Sequence, residues 1–116
     1  MEFIELLQKR RAIRDFEDKK VPLKIIEEIL QEATLAPSAS NNQPCRFSLV
    51  SCESAIKNLS DESKANLLLD HQNGKIRLNS MYVELMKDDH FNVFYNAPSV
   101  IFISGATSVA SLDVDC

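Results

Sequence analysis

Tryptophan is absent from this chain, and only two of its 116 residues are glycine. Two glycines are few for a chain with several turns, and neither flanks a serine as in the elbow that presents a nucleophile. Ser38 and Ser40 therefore lack the setting of a hydrolase serine. Cysteine is scarce and odd in number. Cys45, Cys52 and Cys116 show no C-x-x-C pairing, which gives no reason to expect a disulfide framework or a zinc site and makes a reducing cytosol the expected location. No apolar run approaches the roughly 20 residues of a membrane helix. The N-terminus carries Glu2 and Glu5 where a signal peptide would have a basic start and an apolar stretch. Basic charge is also short. The net charge of −4 and an isoelectric point near 5.1 argue against nucleic acid as a general partner.

What is present suits one globular domain: 45% of the residues are hydrophobic, a normal content for a packed core. There is no internal repeat and no low-complexity segment. The spacing of Phe3, Leu6 and Leu7 predicts a short first helix, with Lys9, Arg10 and Arg11 at its C-terminal end, where the macrodipole favours cations. A second helix is the clearest element. Pro22 takes a first-turn position, Ile25, Ile26, Ile29, Leu30 and Ala33 repeat at helical spacing, and Glu27, Glu28, Gln31 and Glu32 cover the other side. Pro37 is expected to stop it at Leu35–Ala36. A short strand over Phe47–Val50 follows, then a helix over residues 53–69, a turn at Asn73–Gly74 and a short helix over Met81–Met86. The aromatic segment Phe91–Tyr95 is placed to pack over a pocket or line its edge. Ser99–Ser104 reads as an apolar strand, central in a sheet. Gly105–Cys116 is small and polar, with room for a helix start.

Between the second helix and the first strand lies A-P-S-A-S-N-N-Q-P-C-R-F, Ala36 to Phe47. Two prolines bracket it, so the loop is held rather than loose. Ser38, Ser40, Asn41, Asn42 and Gln43 offer hydroxyls and amides without charge, which suits a neutral, planar, polar-edged ligand better than a metal or a naked anion. By composition alone the segment also reads as a connecting turn. The missing charge lies upstream. Arg10, Arg11 and Arg14 fall within five residues with no acid among them, and guanidinium is suited to bidentate phosphate binding. Solvation at a helix end is the other reading of these arginines, and both stay open at this point. His71 and His90 lie in polar surroundings away from any partner at ligand spacing, and both read as surface residues. Cys45, beside Arg46, reads as a buried or half-buried structural thiol, with a somewhat activated thiol as the other reading.

Three segments taken together carry a resemblance: R-R-x-I-R-x-F at Arg10–Phe16, A-P-S-x-x-N-x-Q-P at Ala36–Pro44, and F-Y-N-A-P-S-V-I-F-I-S at Phe94–Ser104. In this order and at these intervals the chain resembles the nitroreductase family of flavin enzymes across nearly its whole length. The resemblance implies an α+β fold with a central sheet flanked by helices. It also implies FMN as cofactor, NAD(P)H as reductant and an intertwined homodimer with flavin at the interface. Carried over position by position, Arg10, Arg11 and Arg14 match the residues that hold the flavin phosphate and ribityl chain. Pro37, Ser38, Asn41 and Gln43 match the loop that approaches the flavin from the other subunit. Ala12 stands where many members have Ser, and Cys45 where Trp is common after Q-P, which bears on substrate preference. The family continues past a strand like Val100–Ser104 into a long core helix, so the expectation is that residues 1–116 form a single but incomplete domain.

The activity implied is transfer of hydride and electrons from NAD(P)H to a nitroaromatic or quinone acceptor by a ping-pong mechanism. No catalytic side chain is needed, because the chemistry belongs to the cofactor. Dehalogenation or flavin breakdown on the same fold would share every motif, and a flavin-binding protein without catalysis is the alternative of another class.

Overall fold

A computed structural model describes residues 1–116. The elements run α1 (Phe3–Lys9), α2 (Leu23–Ala33), a 3₁₀ turn (Ala39–Asn41), β1 (Arg46–Val50), α3 (Glu53–Gln72), α4 (Ser80–Lys87), β2 (Val100–Ser104) and α5 (Leu112–Asp115). The α+β reading of the sequence holds. Several of these helices start or stop for a local reason. Pro22 precedes α2 with φ of −56°, and its carbonyl accepts from the N–H groups of Ile25 and Ile26. Regular helix ends at Ala33, short of the expected stop. Leu35 and Ala36 continue only as tight turns onto Glu32 O and Ala33 O, since Pro37 keeps residue 36 out of the helical region. Asn79 caps α4 by accepting from Tyr82 N at 2.9 Å. Gly74 takes φ of 73° in the turn that closes α3. Glycine adopts that conformation without cost.

The two strands pair antiparallel, with Arg46 opposite Ser104 and Val50 opposite Val100, and form a sheet of two. The apolar tract of β2 predicts a central strand, because both of its faces are hydrophobic. It has one partner strand instead, and Ile101, Phe102 and Ile103 are all exposed.

The core is small and partly polar. Ile26 and Ile56 are its buried apolar side chains, and the other two buried residues are Ser60 and Lys64. Both lie on the face of α3 that carries Ile56, one and two turns further on. Ser60 Oγ accepts from Val93 N at 3.0 Å. Lys64 Nζ donates to Asp88 O at 2.9 Å and to Phe91 O at 2.7 Å. One helix face thus satisfies three backbone groups of the 88–93 turn, which fixes the aromatic segment that follows. Phe91 meets Tyr95 edge to face with ring centroids 5.9 Å apart. Phe94 meets Phe102 in the same way at 6.1 Å, an arrangement that aromatic quadrupoles favour. His71 is not merely solvated as expected: its Nδ1 accepts from Leu78 N at 3.2 Å and closes the polar 73–79 loop.

The chain does not close on itself. Its accessible surface is 9589 Å², against about 6,400 Å² for a compact monomer of this mass. The radius of gyration is 17.2 Å, where a compact domain of similar length has about 13 Å. Ile25 and Ile29 on the apolar face of α2 remain 46% and 53% exposed, so that face awaits a covering surface. No helix is long and apolar enough to cross a membrane.

Candidate functional site

The residues singled out in the sequence occupy two regions. Arg10, Arg11 and Arg14 leave the C-terminal end of α1 and are exposed. Arg11 Nη1 turns back onto Gln8 O at 2.6 Å and Arg10 O at 2.8 Å. There it serves the carbonyls of the helix end. Arg10 and Arg14 make no side-chain hydrogen bond, and none of the ion pairs involves any of the three. Arg11 is thus engaged by the helix through Nη1, while the guanidiniums of Arg10 and Arg14 are unpaired.

The second region is the loop after α2. Pro37, Asn41 and Gln43 are exposed and Ser38 is half-buried. Ser38 Oγ accepts from Gln43 N at 2.9 Å, tying the start of the loop to its end. Ser40 and Asn41 both take φ of 53°, and Gln43 takes 47°. These are left-handed values that non-glycine residues adopt at a cost. Three such residues in four, in a segment with no glycine, persist only where surrounding contacts impose them. Besides the bond between Ser38 and Gln43, those contacts come from the far end of the chain. The Asp115 carboxylate accepts from Ala39 N at 3.2 Å through both oxygens, and Ser111 Oγ donates to Asp115 Oδ2 at 2.7 Å. Gly105 faces Pro44 so closely that a Cβ there would lie 2.9 Å from Pro44 O. Cys45 is joined to Cys116 by a disulfide across 71 residues of sequence. This corrects two expectations, that the cysteines form no disulfide and that Cys45 is a structural thiol. Counting and local spacing carry no signal for a pair so far apart.

The free thiol is Cys52, exposed at the start of α3. The Ser54 hydroxyl, with the N–H groups of Ala55 and Ser54 behind it, holds this thiol below its usual titration range. Cys52 lines the large crevice of about 1050 Å³ between the start of α3 and the 89–98 segment, with Phe16, Lys57, His90 and Phe91 also on its walls. Phe91 lines its edge, in keeping with the expectation for the aromatic segment. Lys57 is paired there with Asp61 at 2.7 Å, and Asp18, Glu53 and Asp89 outweigh the remaining lysine, so the crevice does not favour an anion. None of the arginines or loop residues lines it. Within one chain, no side-chain hydrogen bond or ion pair joins Arg10–Arg14 to Ser38–Gln43.

Comparison with known proteins identifies the family. The nitroreductase family profile matches residues 7–114. A Streptococcus pyogenes protein provisionally named an NAD(P)H nitroreductase is 46% identical over 50 residues, which are 43% of this chain and 25% of that protein. An iodotyrosine deiodinase of Haliscomenobacter hydrossis is 38% identical over 50 residues, 43% of this chain and 22% of its own. Among solved structures, an FMN-dependent nitroreductase from Clostridium difficile superposes with a TM-score of 0.74 at 29% identity, over 97% of this chain and 48% of that one. A Bacteroides fragilis nitroreductase with bound FMN shares the fold, with a TM-score of 0.81 at 20% identity over 100% of this chain and 58% of that one. This chain spans only part of the length of these relatives. With the profile covering nearly all of its residues, the chain belongs to the nitroreductase family.

Proposed function

We propose that this chain is the flavin-gripping part of an FMN-dependent oxidoreductase that passes electrons from NAD(P)H to a nitroaromatic or quinone acceptor. The observation that carries the reading is the pair of exposed, unpaired guanidiniums, Arg10 and Arg14, set within a family match that runs from residue 7 to 114. The residues fit the group chemically. Two free cations suit a phosphate, and the exposed amides of Asn41 and Gln43 suit the polar edge of a neutral ring system. FMN, when bound, supplies the hydride and electron chemistry. Arg10 and Arg14 anchor its phosphate, while Arg11 stays with the helix. Pro37 and Ser38 set the course of the loop that carries Asn41 and Gln43 to the ring.

Each site draws on two copies of the chain, with arginines from one subunit and loop from its partner. The excess exposed surface supports this reading, since roughly 3,000 Å² per chain is more than enough for one side of an obligate interface, which takes about 1,000–2,500 Å² from each partner. Residues 1–116 act as one domain whose apolar faces are completed by contacts outside the single chain. Cytoplasmic residence accompanies this reading, and in that reducing compartment the Cys45–Cys116 disulfide is open to exchange rather than permanent.

A second reaction has a specific observation in its favour. The deiodinase similarity, at 38% identity over 50 residues, makes reductive removal of halogen from an aromatic ring the alternative on the same site. An absorbance spectrum of the purified protein tests for flavin. NADH and NADPH oxidation with menadione, a nitrofuran or 3-iodotyrosine then separates the two reactions, and parallel double-reciprocal lines are expected if one face serves donor and acceptor in turn. A colourless protein that cannot be reconstituted with FMN would end the proposal. A yellow one that oxidises neither nucleotide would leave a flavin binder without this activity.

A further inference from the structure

We propose that the Cys45–Cys116 disulfide is a thiol-controlled clamp on the Ser38–Gln43 loop, so that reduction by a dithiol loosens the loop and its hold on the ligand. The inference rests on the assignment of that loop to the flavin. The loop holds three left-handed, non-glycine residues and contains no regular structure beyond one 3₁₀ turn. Two sets of contacts impose this shape. One is internal, Ser38 Oγ to Gln43 N. The other is the 111–116 segment, where Asp115 holds Ala39 N and is itself held by Ser111. Cys116 is the next residue after Asp115, and Cys45 lies two residues beyond Gln43. The covalent bond thus ties the residue beside the carboxylate to the end of the loop. Without it, only Asp115 and the Gly105–Pro44 approach hold the 105–116 segment against the loop beyond the last strand pair, Arg46 opposite Ser104. Closing that remaining loop carries an entropic cost that the disulfide reduces.

Cys116 is exposed and Cys45 half-buried, so the sulfur of Cys116 is open to attack. A thiolate of an external dithiol bonds to Cys116 Sγ and breaks the bond to Cys45 Sγ, which leaves as thiolate and takes a proton. The second thiol of the reductant then displaces Cys116 from the mixed disulfide and closes its own ring. Two electrons and two protons reach the protein, and the dithiol becomes a cyclic disulfide.

The test is hydrogen exchange on the full chain, oxidised and then reduced with dithiothreitol, with FMN affinity measured by fluorescence quenching in both states. Reduction should speed exchange of the 38–43 amides, Ala39 foremost, by about tenfold to a hundredfold, the effect of losing one charge-assisted bond. Amides in α3 should not change, reoxidation should reverse the effect, and Cys116→Ser should match the reduced form and ignore dithiothreitol. Unchanged loop exchange would overturn the clamp. So would equal acceleration throughout α3, which would make the disulfide a general staple, or three titratable thiols in the denatured, air-oxidised protein. A loosened loop with unchanged FMN affinity would keep the clamp and refute the loop's assignment to the flavin.

Discussion

Replacing Lys64 and Ser60, singly and together, tests whether a polar face of α3 holds the 88–93 turn in place. Ser60→Ala takes the acceptor from Val93 N. That N–H is left unsatisfied in a half-buried position at a cost of about 1–3 kcal/mol. Lys64→Met keeps the length of the side chain and removes its bonds to the carbonyls of Asp88 and Phe91. Each such bond from a charged group is worth about 1.5–3 kcal/mol. The change also relieves the burial of an ammonium group, which offsets roughly one of those bonds and leaves a net loss of about 2 kcal/mol. The contact with Asp61 at 3.6 Å adds little, because that carboxylate is half in water. Both side chains hold one turn, so the losses should not add. Once one staple is gone, the other holds a turn already loosened, and the double variant should fall short of the sum by about 1 kcal/mol. Urea denaturation followed by far-ultraviolet circular dichroism, at fixed protein and flavin concentration, gives the three values, and exchange of the Val93 amide localises them. Losses below about 0.5 kcal/mol for both single variants, or strict additivity, would refute the reasoning.

Arg14→Ala should weaken FMN by about 1.5–3 kcal/mol, one to two decades in affinity, and barely affect riboflavin, which has no phosphate. Equal losses for both flavins, read by fluorescence titration, would remove the phosphate role. Sizing chromatography with absorbance detection should show flavin and dimer rising together with protein concentration, since each stabilises the other by mass action. A monomer that retains flavin on dilution would refute the shared site. Cys52 has its folded titration point depressed, so its thiolate contributes stability above the unfolded thiol's range that is lost as pH falls through the folded value. Iodoacetamide should therefore modify folded Cys52 with a pH midpoint below that of the urea-unfolded chain, and coincident midpoints would remove the role of the Ser54 bond.

Most of the fold is legible in the sequence because its elements carry strong local signals. The helical repeat of Ile25 to Ala33 announces α2, and Asn73–Gly74 announces the turn after α3. The polar staple is not legible, because a serine and a lysine at helical spacing read as solvated until a second segment covers them. Lys64 shows its role only through the carbonyls of Asp88 and Phe91. The disulfide is hidden for a related reason, its two halves lying 71 residues apart. At the site, the residue types in Arg10–Arg14 and Ser38–Gln43 can be read, but the engagement of Arg11 by Gln8 O depends on where α1 ends. Left-handed backbone at Ser40 and Gln43 carries no signal either, since glycine is the residue that announces such a conformation.

The two-stranded sheet has a consequence for how the chain must be handled. Each strand of a pair has one edge whose N–H and C=O groups face no other strand, and along β2 that edge carries the run Val-Ile-Phe-Ile. High β-propensity, no charge and no proline are the attributes of segments that stack into cross-β fibrils. Pro98 and Asn96 just upstream, and Gly105 just downstream, confine the hazardous run to the strand itself. Strand-by-strand addition gains as chains crowd on the ribosome or during concentration. Expression at low temperature, which weakens apolar association, is the condition that limits it.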